Sequence, residues 1–172
     1  ALPDAMEEMA PAFQHVPASD LPIVESDGAE ARVVMGSLWG VRSPTTTYAE
    51  TIQADIALEP GAAIPIDAEA EERALYLAMG DGEIDGMRME PQTLYILRPG
   101  AAVTLRSPGG GRVMLCGGEA FATPRHVWWN FVSSTTDRIE QAKADWKSGA
   151  FPKVPGDEEE YIPIPEIPRT VS

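Results

Sequence analysis

The sequence predicts an all-β fold, an antiparallel β-sandwich or barrel followed by one C-terminal α-helix and an extended tail. Short apolar or alternating segments recur from residue 23 to residue 127, separated by turns that contain glycine or proline. This spacing is typical of sandwiches and barrels. Only one segment, near residues 134–147, has a helical period. A chain of 172 residues can bury roughly 70% of its unfolded surface, so one domain with extensions accounts for its length.

Residues 1–22 are predicted to form an extended arm or linker. Four prolines and several acidic residues separate the apolar side chains too widely for a stable helix or strand. The chain opens on Ala1-Leu2-Pro3 without an initiator methionine, which we interpret as a sign of processing or of a fragment.

The β-barrel is predicted over residues 23–127. Residues 51–58 alternate cleanly and place Ile52, Ala54, Ile56 and Leu58 on the inner face. The pair Asp85-Gly86 is favoured in two-residue hairpins and follows the short segment 83–84. The other predicted strands are residues 31–35, 38–41, 73–79, 93–97, 102–105 and 112–116.

Residues 128–172 are predicted to form a strand, a helix over about 134–147 and an acidic, proline-rich tail. Ser134 and Asp137 have the spacing of a capping box, and Gly149 can adopt the left-handed conformation that ends a helix. Ile139, Ala142 and Trp146 form one apolar stripe. The helix should therefore pack on a larger body.

Composition and charge exclude several function classes. With 27 acidic against 13 basic residues and a net charge of −14, the chain would repel a phosphate backbone, so we expect no direct nucleic-acid binding. It has no apolar run of about 18 residues and no secretory signal, so we expect a cytoplasmic protein that does not enter membranes. Cys116 is the single cysteine, and we interpret it as a core residue or, alternatively, a reactive thiol.

Residues 61–103 resemble a cupin, a jelly-roll barrel. Gly61 opens a first motif, acidic residues precede a strand that ends near residues 80–82, and Pro99-Gly100 opens a second motif. Metal-binding cupins carry two histidines, spaced by one residue, and a glutamate in the first motif, and a further histidine in the second. The resemblance therefore implies where metal ligands would lie in this chain.

Those ligand positions carry other residues here. The histidine positions fall on Asp67, Glu69 and, at or near the second motif, Val103. The chain has two histidines, His15 and His126, so a three-histidine centre cannot be assembled. We expect no catalytic residue, no cofactor-binding residue and no transition-metal ligand in this chain.

Two other kinds of site remain open. Asp67, Glu69, Glu71 and Glu72 could hold a hard cation such as Mg²⁺, Ca²⁺ or Mn²⁺ through oxygen, or they could form a solvated acidic surface. A small organic ligand could also occupy the barrel mouth.

The C-terminal stretch resembles the closing segment of pirins. The resemblance lies in residues 127–134, in Arg138-Ile139, Gln141-Ala142 and Asp145-Trp146, and in residues 149–165; it extends more weakly to residues 40–44 and 13–15. It implies a protein with two cupin barrels, whose N-terminal barrel binds iron or a related metal. Some pirins resemble quercetin dioxygenases, and others act as redox-sensitive transcriptional co-regulators or bind metabolic enzymes. This chain is similar to the C-terminal half.

These observations support two hypotheses from different classes. In the first, the chain is a structural and interaction module without its own transition-metal site, and it holds a second cupin barrel, a second copy of itself in a homodimer, or another protein partner. In the second, it is half of a quercetin-dioxygenase-like enzyme whose iron or related metal lies in a partner N-terminal barrel. We expect Trp128, Trp129 and Phe131 to be core aromatics, His126 to be a hydrogen-bonded or surface residue, and residues 157–160 to be solvated.

Overall fold

The structure of the chain, a computed structural model, describes residues 1–165. They form two compact units, one of residues 10–120 and the other of residues 1–9 together with those from Phe121 onward. The sequence suggests boundaries at residues 22 and 127 instead. The end of the predicted tail, residues 166–172, lies outside the described residues.

The unit of residues 10–120 is built from twelve short strands that pair in antiparallel fashion. They are β1 (Ile23–Ser26), β2 (Ala29–Met35), β3 (Ser37–Leu38), β4 (Val41–Arg42), β5 (Thr51–Leu58), β6 (Ala62–Ile66), β7 (Glu72–Gly80), β8 (Glu83–Ile84), β9 (Met87–Arg88), β10 (Leu94–Leu97), β11 (Val103–Ser107) and β12 (Gly111–Gly118).

Two sheets of this unit enclose the core. One has the strand order β1-β2-β5-β12-β7-β10 and the other the order β6-β11-β8-β9. Strands alternate inward apolar and outward polar side chains, as expected where one face is buried; the predicted inner face of β5 is buried at all four positions. The fully buried side chains of the core include Ile56, Ile64, Ile66, Leu75, Leu77, Leu105 and Leu115.

Two details of the strands differ from the prediction. Residues 38–41 do not form one strand, because Trp39 and Gly40 take positive φ angles of 47° and 77° and turn the chain from β3 into β4. Strand β6 is absent from the predicted strands, because Pro65 interrupts its alternation. Proline is tolerated there because β6 is the edge strand of its sheet.

The second unit contains the hairpin β13 (His126–Trp128) and β14 (Phe131–Ser133) and the helix α1 (Thr136–Ser148). Within residues 1–22, presented by the sequence as an extended arm, Asp4–Met6 and Ala18–Asp20 form single 3₁₀ turns. Ile139 and Ala142 of the predicted stripe are buried. The predicted fold class, all-β with one C-terminal helix, is confirmed.

The cap of α1 corrects one prediction. Thr135, not Ser134, is the N-cap residue, and its hydroxyl oxygen accepts a hydrogen bond from the Arg138 N–H at 3.3 Å. Gly149 ends the helix with a φ of 72°, as predicted. No helix in residues 1–165 has the length and apolar character that a membrane span requires.

Candidate functional site

A cavity of about 580 Å³ lies in the unit of residues 10–120. Its walls come from the β3–β4 hairpin, residues 47–52 and 66–73, and the end of β12. Five of the lining side chains are buried and apolar: Leu38, Ile52, Ile66, Ala70 and Leu115. This volume falls within the range of small-molecule sites.

Arg73, the second residue of β7, lines this cavity and is only 3% exposed. One terminal nitrogen donates to the backbone oxygen of Asp67 at 2.5 Å; the other donates to those of Arg98 at 3.1 Å and Ala101 at 2.7 Å. The side chain therefore ties the loop after β6 to the loop after β10. Its Nε is buried without a hydrogen-bond partner. Among the described residues, no carboxylate forms an ion pair with it.

Aromatic side chains form part of the cavity wall. Trp39 is fixed by a hydrogen bond from its indole Nε1 to the backbone oxygen of Pro65 at 3.3 Å. Tyr48 lines the same cavity and is 43% exposed. Arg42, which is exposed on β4, adds a second guanidinium to the lining.

The structure brings two of the four candidate carboxylates together. Asp67 and Glu69 line the cavity and are exposed. Glu71 instead accepts a hydrogen bond from the Ala120 N–H at 3.1 Å, and Glu72 is exposed at the start of β7, outside the lining. A hard-cation site at these residues stays a prediction.

Two further acidic residues of the cavity were not apparent from the sequence. Glu50 and Glu119 both line it, and the Glu119 carboxylate accepts a hydrogen bond from the Glu50 N–H at 3.2 Å. Antiparallel pairing of β5 with β12, which places Gly118 opposite Thr51, brings them together. Predicting from the sequence that β5 pairs with β12 would have placed Glu50 and Glu119 next to each other.

The donor set of the cavity does not suit the imidazole-ligated metal that the cupin resemblance implies. Val103, at the third histidine position, is a partly buried residue paired with Ile66. His15 and His126 are both exposed, and neither lines the cavity. Within residues 1–165, no three histidine, cysteine, aspartate or glutamate side chains are grouped so as to hold a metal ion.

In the other unit, acidic side chains of residues 1–9 surround Arg125. The guanidinium, 8% exposed as a side chain, donates to the Asp4 carboxylate at 2.6 Å and lies 3.3 Å from that of Glu7. It also sits over the Phe121 ring, 4.2 Å from the centroid. Hydrogen bonds from the Thr123 hydroxyl and from Arg125 hold the pKa of the Asp4 carboxyl below its ordinary value.

The predicted core aromatics belong to a separate, half-buried cluster of rings in this unit. Trp129 lies 5.3 Å from Trp146, and Phe131 lies 5.8 Å from Phe151, measured between ring centroids. Trp146 also donates its indole hydrogen to the backbone oxygen of Ile162 at 2.9 Å. The cluster thus anchors part of the tail to the helix.

Similarity to known proteins identifies the family of this chain. Residues 53–152 match the family described as the Pirin C-terminal cupin domain. The chain belongs to the pirin family. It is 41% identical over 167 residues to a pirin-like protein of Caulobacter vibrioides, covering 96% of the present chain and 58% of that protein. It is 27% identical over 146 residues to human pirin, covering 80% of the chain and 50% of the human protein.

A solved structure of similar fold supports this assignment. Quercetin 2,3-dioxygenase from Acinetobacter baumannii superposes with a TM-score of 0.87 and 30% identity, covering the whole chain and 58% of that structure. The predicted cupin fold and pirin resemblance are confirmed. The pirin chain spans just over half of the length of these relatives.

Proposed function

We propose that this pirin cupin domain acts as a structural and interaction module without a transition-metal site of its own. The observation that carries the proposal is the apolar outer surface of β10. Ile96 and Leu94 are 74% and 50% exposed there, and β10 is the edge strand of its sheet. Exposed apolar edge strands serve as pairing surfaces for another chain or domain.

The proposed partner is a second cupin barrel, either an N-terminal pirin barrel or a second copy of this chain. Ile96 and Leu94 pair with Ala74 and Tyr76 of β7. Ala74 is only 6% exposed and Tyr76 is half-buried, so the exposed apolar surface lies on β10 itself. The residues at the histidine positions, Asp67, Glu69 and Val103, supply no imidazole, which favours assembly over metal-assisted chemistry.

Sedimentation velocity tests the proposed interaction role. It would measure whether the chain associates with itself, or with the N-terminal part of a pirin when the two are mixed. Ile96→Lys should abolish the association, whereas Met87→Lys, at a residue 55% exposed on the other sheet, should leave it intact. The proposal would be contradicted if the chain stayed strictly monomeric at high concentration and also failed to bind the N-terminal part. So would a stoichiometric transition metal found by elemental analysis of the purified chain.

A second candidate function is favoured by the similarity to the Acinetobacter quercetin 2,3-dioxygenase. In this alternative, the chain forms half of a comparable oxygenase, and a partner barrel supplies iron or a related metal. Quercetin consumption should then require both barrels. Consumption by the metal-loaded N-terminal part at an unchanged rate without this chain would exclude it.

A further inference from the structure

We propose that the cavity of residues 10–120 binds a small organic monoanion with an aromatic body, such as an aromatic carboxylate. This inference concerns a ligand site and goes beyond the proposed assembly role. All of its residues lie in one compact unit.

The wall of the cavity fits the body of such a ligand. Leu38, Ile66 and Leu115 are at most 6% exposed and form an apolar surface. Trp39 and Tyr48 add aromatic surface, and the hydrogen bond from Trp39 to Pro65 fixes one of the two rings. Apolar and aromatic walls with a few placed polar groups are the usual form of a small-molecule site.

The two guanidinium groups fit the head of the ligand. Arg73 is a buried cation that has only carbonyl dipoles as acceptors, and its Nε donor has no partner. A buried charge is costly unless an opposite charge accompanies it, so a bound carboxylate would stabilise it. Arg42 also lines the cavity and has the planar fork that binds carboxylates in a bidentate manner.

The acidic residues that line the cavity outnumber its two arginines, but they do not reverse the preference for an anionic ligand. Glu50, Asp67, Glu69 and Glu119 are all exposed, and at physiological ionic strength salt largely screens the interactions of exposed charges beyond about 8 Å. The charge of Arg73, by contrast, acts in a buried environment, where electrostatic interactions are stronger. Asp67 meets Arg73 through its backbone oxygen. The acidic lining residues should nevertheless disfavour a dianion such as phosphate, so a singly charged head is the better match.

Three compounds of nearly equal shape, one anionic, one neutral and one cationic, test which ligand charge the cavity prefers. Calorimetric titration of the full chain with phenylacetate should give a Kd of about 1 mM or tighter. Affinity for neutral phenylacetamide should be about tenfold weaker, and phenethylamine should bind weakest. A preference for the amine, equal affinity for all three, or no binding of phenylacetate would overturn the proposal.

Two variants with opposite expected effects locate the site. Arg42→Gln should weaken phenylacetate binding about tenfold, while Glu69→Gln should strengthen it about twofold because it removes a repulsive charge. Arg88→Gln is the matched control, since Arg88 is exposed on β9 and does not line the cavity. These substitutions avoid Arg73, which also ties two loops together. Effects of the reverse sign, or equal effects in all three variants, would contradict the assignment.

Indole signals in a nitrogen–proton NMR spectrum give a second readout. Trp39 is the one tryptophan of residues 10–120, and the other three belong to the second unit. Phenylacetate should shift the Trp39 indole signal with the same Kd and leave the others in place. Shifts confined to the other three indoles would place binding outside the cavity and refute the proposal.

Discussion

The carboxylate of Glu7 accepts two hydrogen bonds from Ser134, one from its backbone N–H at 2.8 Å and one from its hydroxyl at 2.7 Å. The two residues are 127 positions apart. Ser134 is therefore bound to the N-terminal segment, and the neighbouring Thr135 takes the capping position of α1. A contact distant in the sequence thus determines which of two adjacent hydroxyl residues begins the helix.

Replacing Glu7 should destabilise the unit that contains α1. Glu7→Ala removes both acceptors of Ser134 and the carboxylate 3.3 Å from Arg125, so the free energy of unfolding should fall by about 1–3 kcal/mol. Urea unfolding followed by tryptophan fluorescence would measure it. Glu8→Ala is the control, because the Glu8 side chain is 68% exposed beside Arg138 and exposed pairs contribute about 0–1 kcal/mol. Equal losses in both variants would contradict this interpretation.

Acid sensitivity should depend on Asp55. Its carboxylate accepts hydrogen bonds from Arg112, which hold its pKa below the ordinary value of 3.8. A lowered pKa stabilises the fold fully above that ordinary value, and the contribution is lost as the pH falls through the lower folded-state value. Asp55→Asn should lower stability by about 0.5–1 kcal/mol at pH 6 and by less near pH 3.

Urea midpoints measured from pH 6 to pH 2.5 would test this expectation. Glu90→Gln, at an exposed carboxylate between β9 and β10, is the control and should shift the midpoint little at any pH. A difference between Asp55→Asn and the unmodified chain that stays constant across the range would contradict the assigned pKa direction.

The fold class could be predicted from the sequence because the alternation of apolar and polar residues indicates which side chains are buried, and glycine and proline pairs indicate the turns. The alternation of β5 and the turn pair Asp85-Gly86, whose φ angles are both positive, needed no knowledge of distant contacts. The N-cap and the cavity depended on such contacts. One local signal of the cavity was present: Arg73 occupies the inward register of Leu75 and Leu77 on β7. A charged residue at a core-facing position indicates a site or a satisfied network. The four carbonyl acceptors of Arg73, however, come from the end of β6 and from two loops that only the fold brings together.

Trp146 should hold the tail against the helix. Trp146→Phe keeps an aromatic ring beside Trp129 but removes the indole donor to the Ile162 backbone oxygen, at a cost of about 1 kcal/mol. Cleavage by trypsin after Lys153 should therefore become faster. Val127→Ala, at a side chain 68% exposed on β13 and away from the cleaved bond, should not change the rate; a similar acceleration there would indicate nonspecific loosening.

Cys116 should react slowly with thiol reagents. It is half-buried on β12, and burial raises the pKa of its thiol, which lowers the fraction of reactive thiolate at neutral pH. Modification by a disulfide reagent at pH 7.5 should be much slower in the folded chain than in urea. Rapid modification of the folded chain would instead support the alternative of a reactive thiol.

Gly36 should be intolerant of any side chain, and its neighbour Gly40 provides a matched control. Both have positive φ angles, 75° and 77°. A Cβ at Gly36 would lie 1.8 Å from the Thr51 backbone oxygen, whereas one at Gly40 would meet no atom within 4 Å. Gly40→Ala therefore carries only the conformational penalty, about 1–2 kcal/mol. Gly36→Ala adds a backbone clash and should cost about 3 kcal/mol or more. Because Gly36 and Thr51 both line the cavity, relief of the clash would also deform its wall. Chemical denaturation of the two variants measures the difference, and equal destabilisation would show that Gly36 and the Thr51 backbone oxygen do not approach each other this closely.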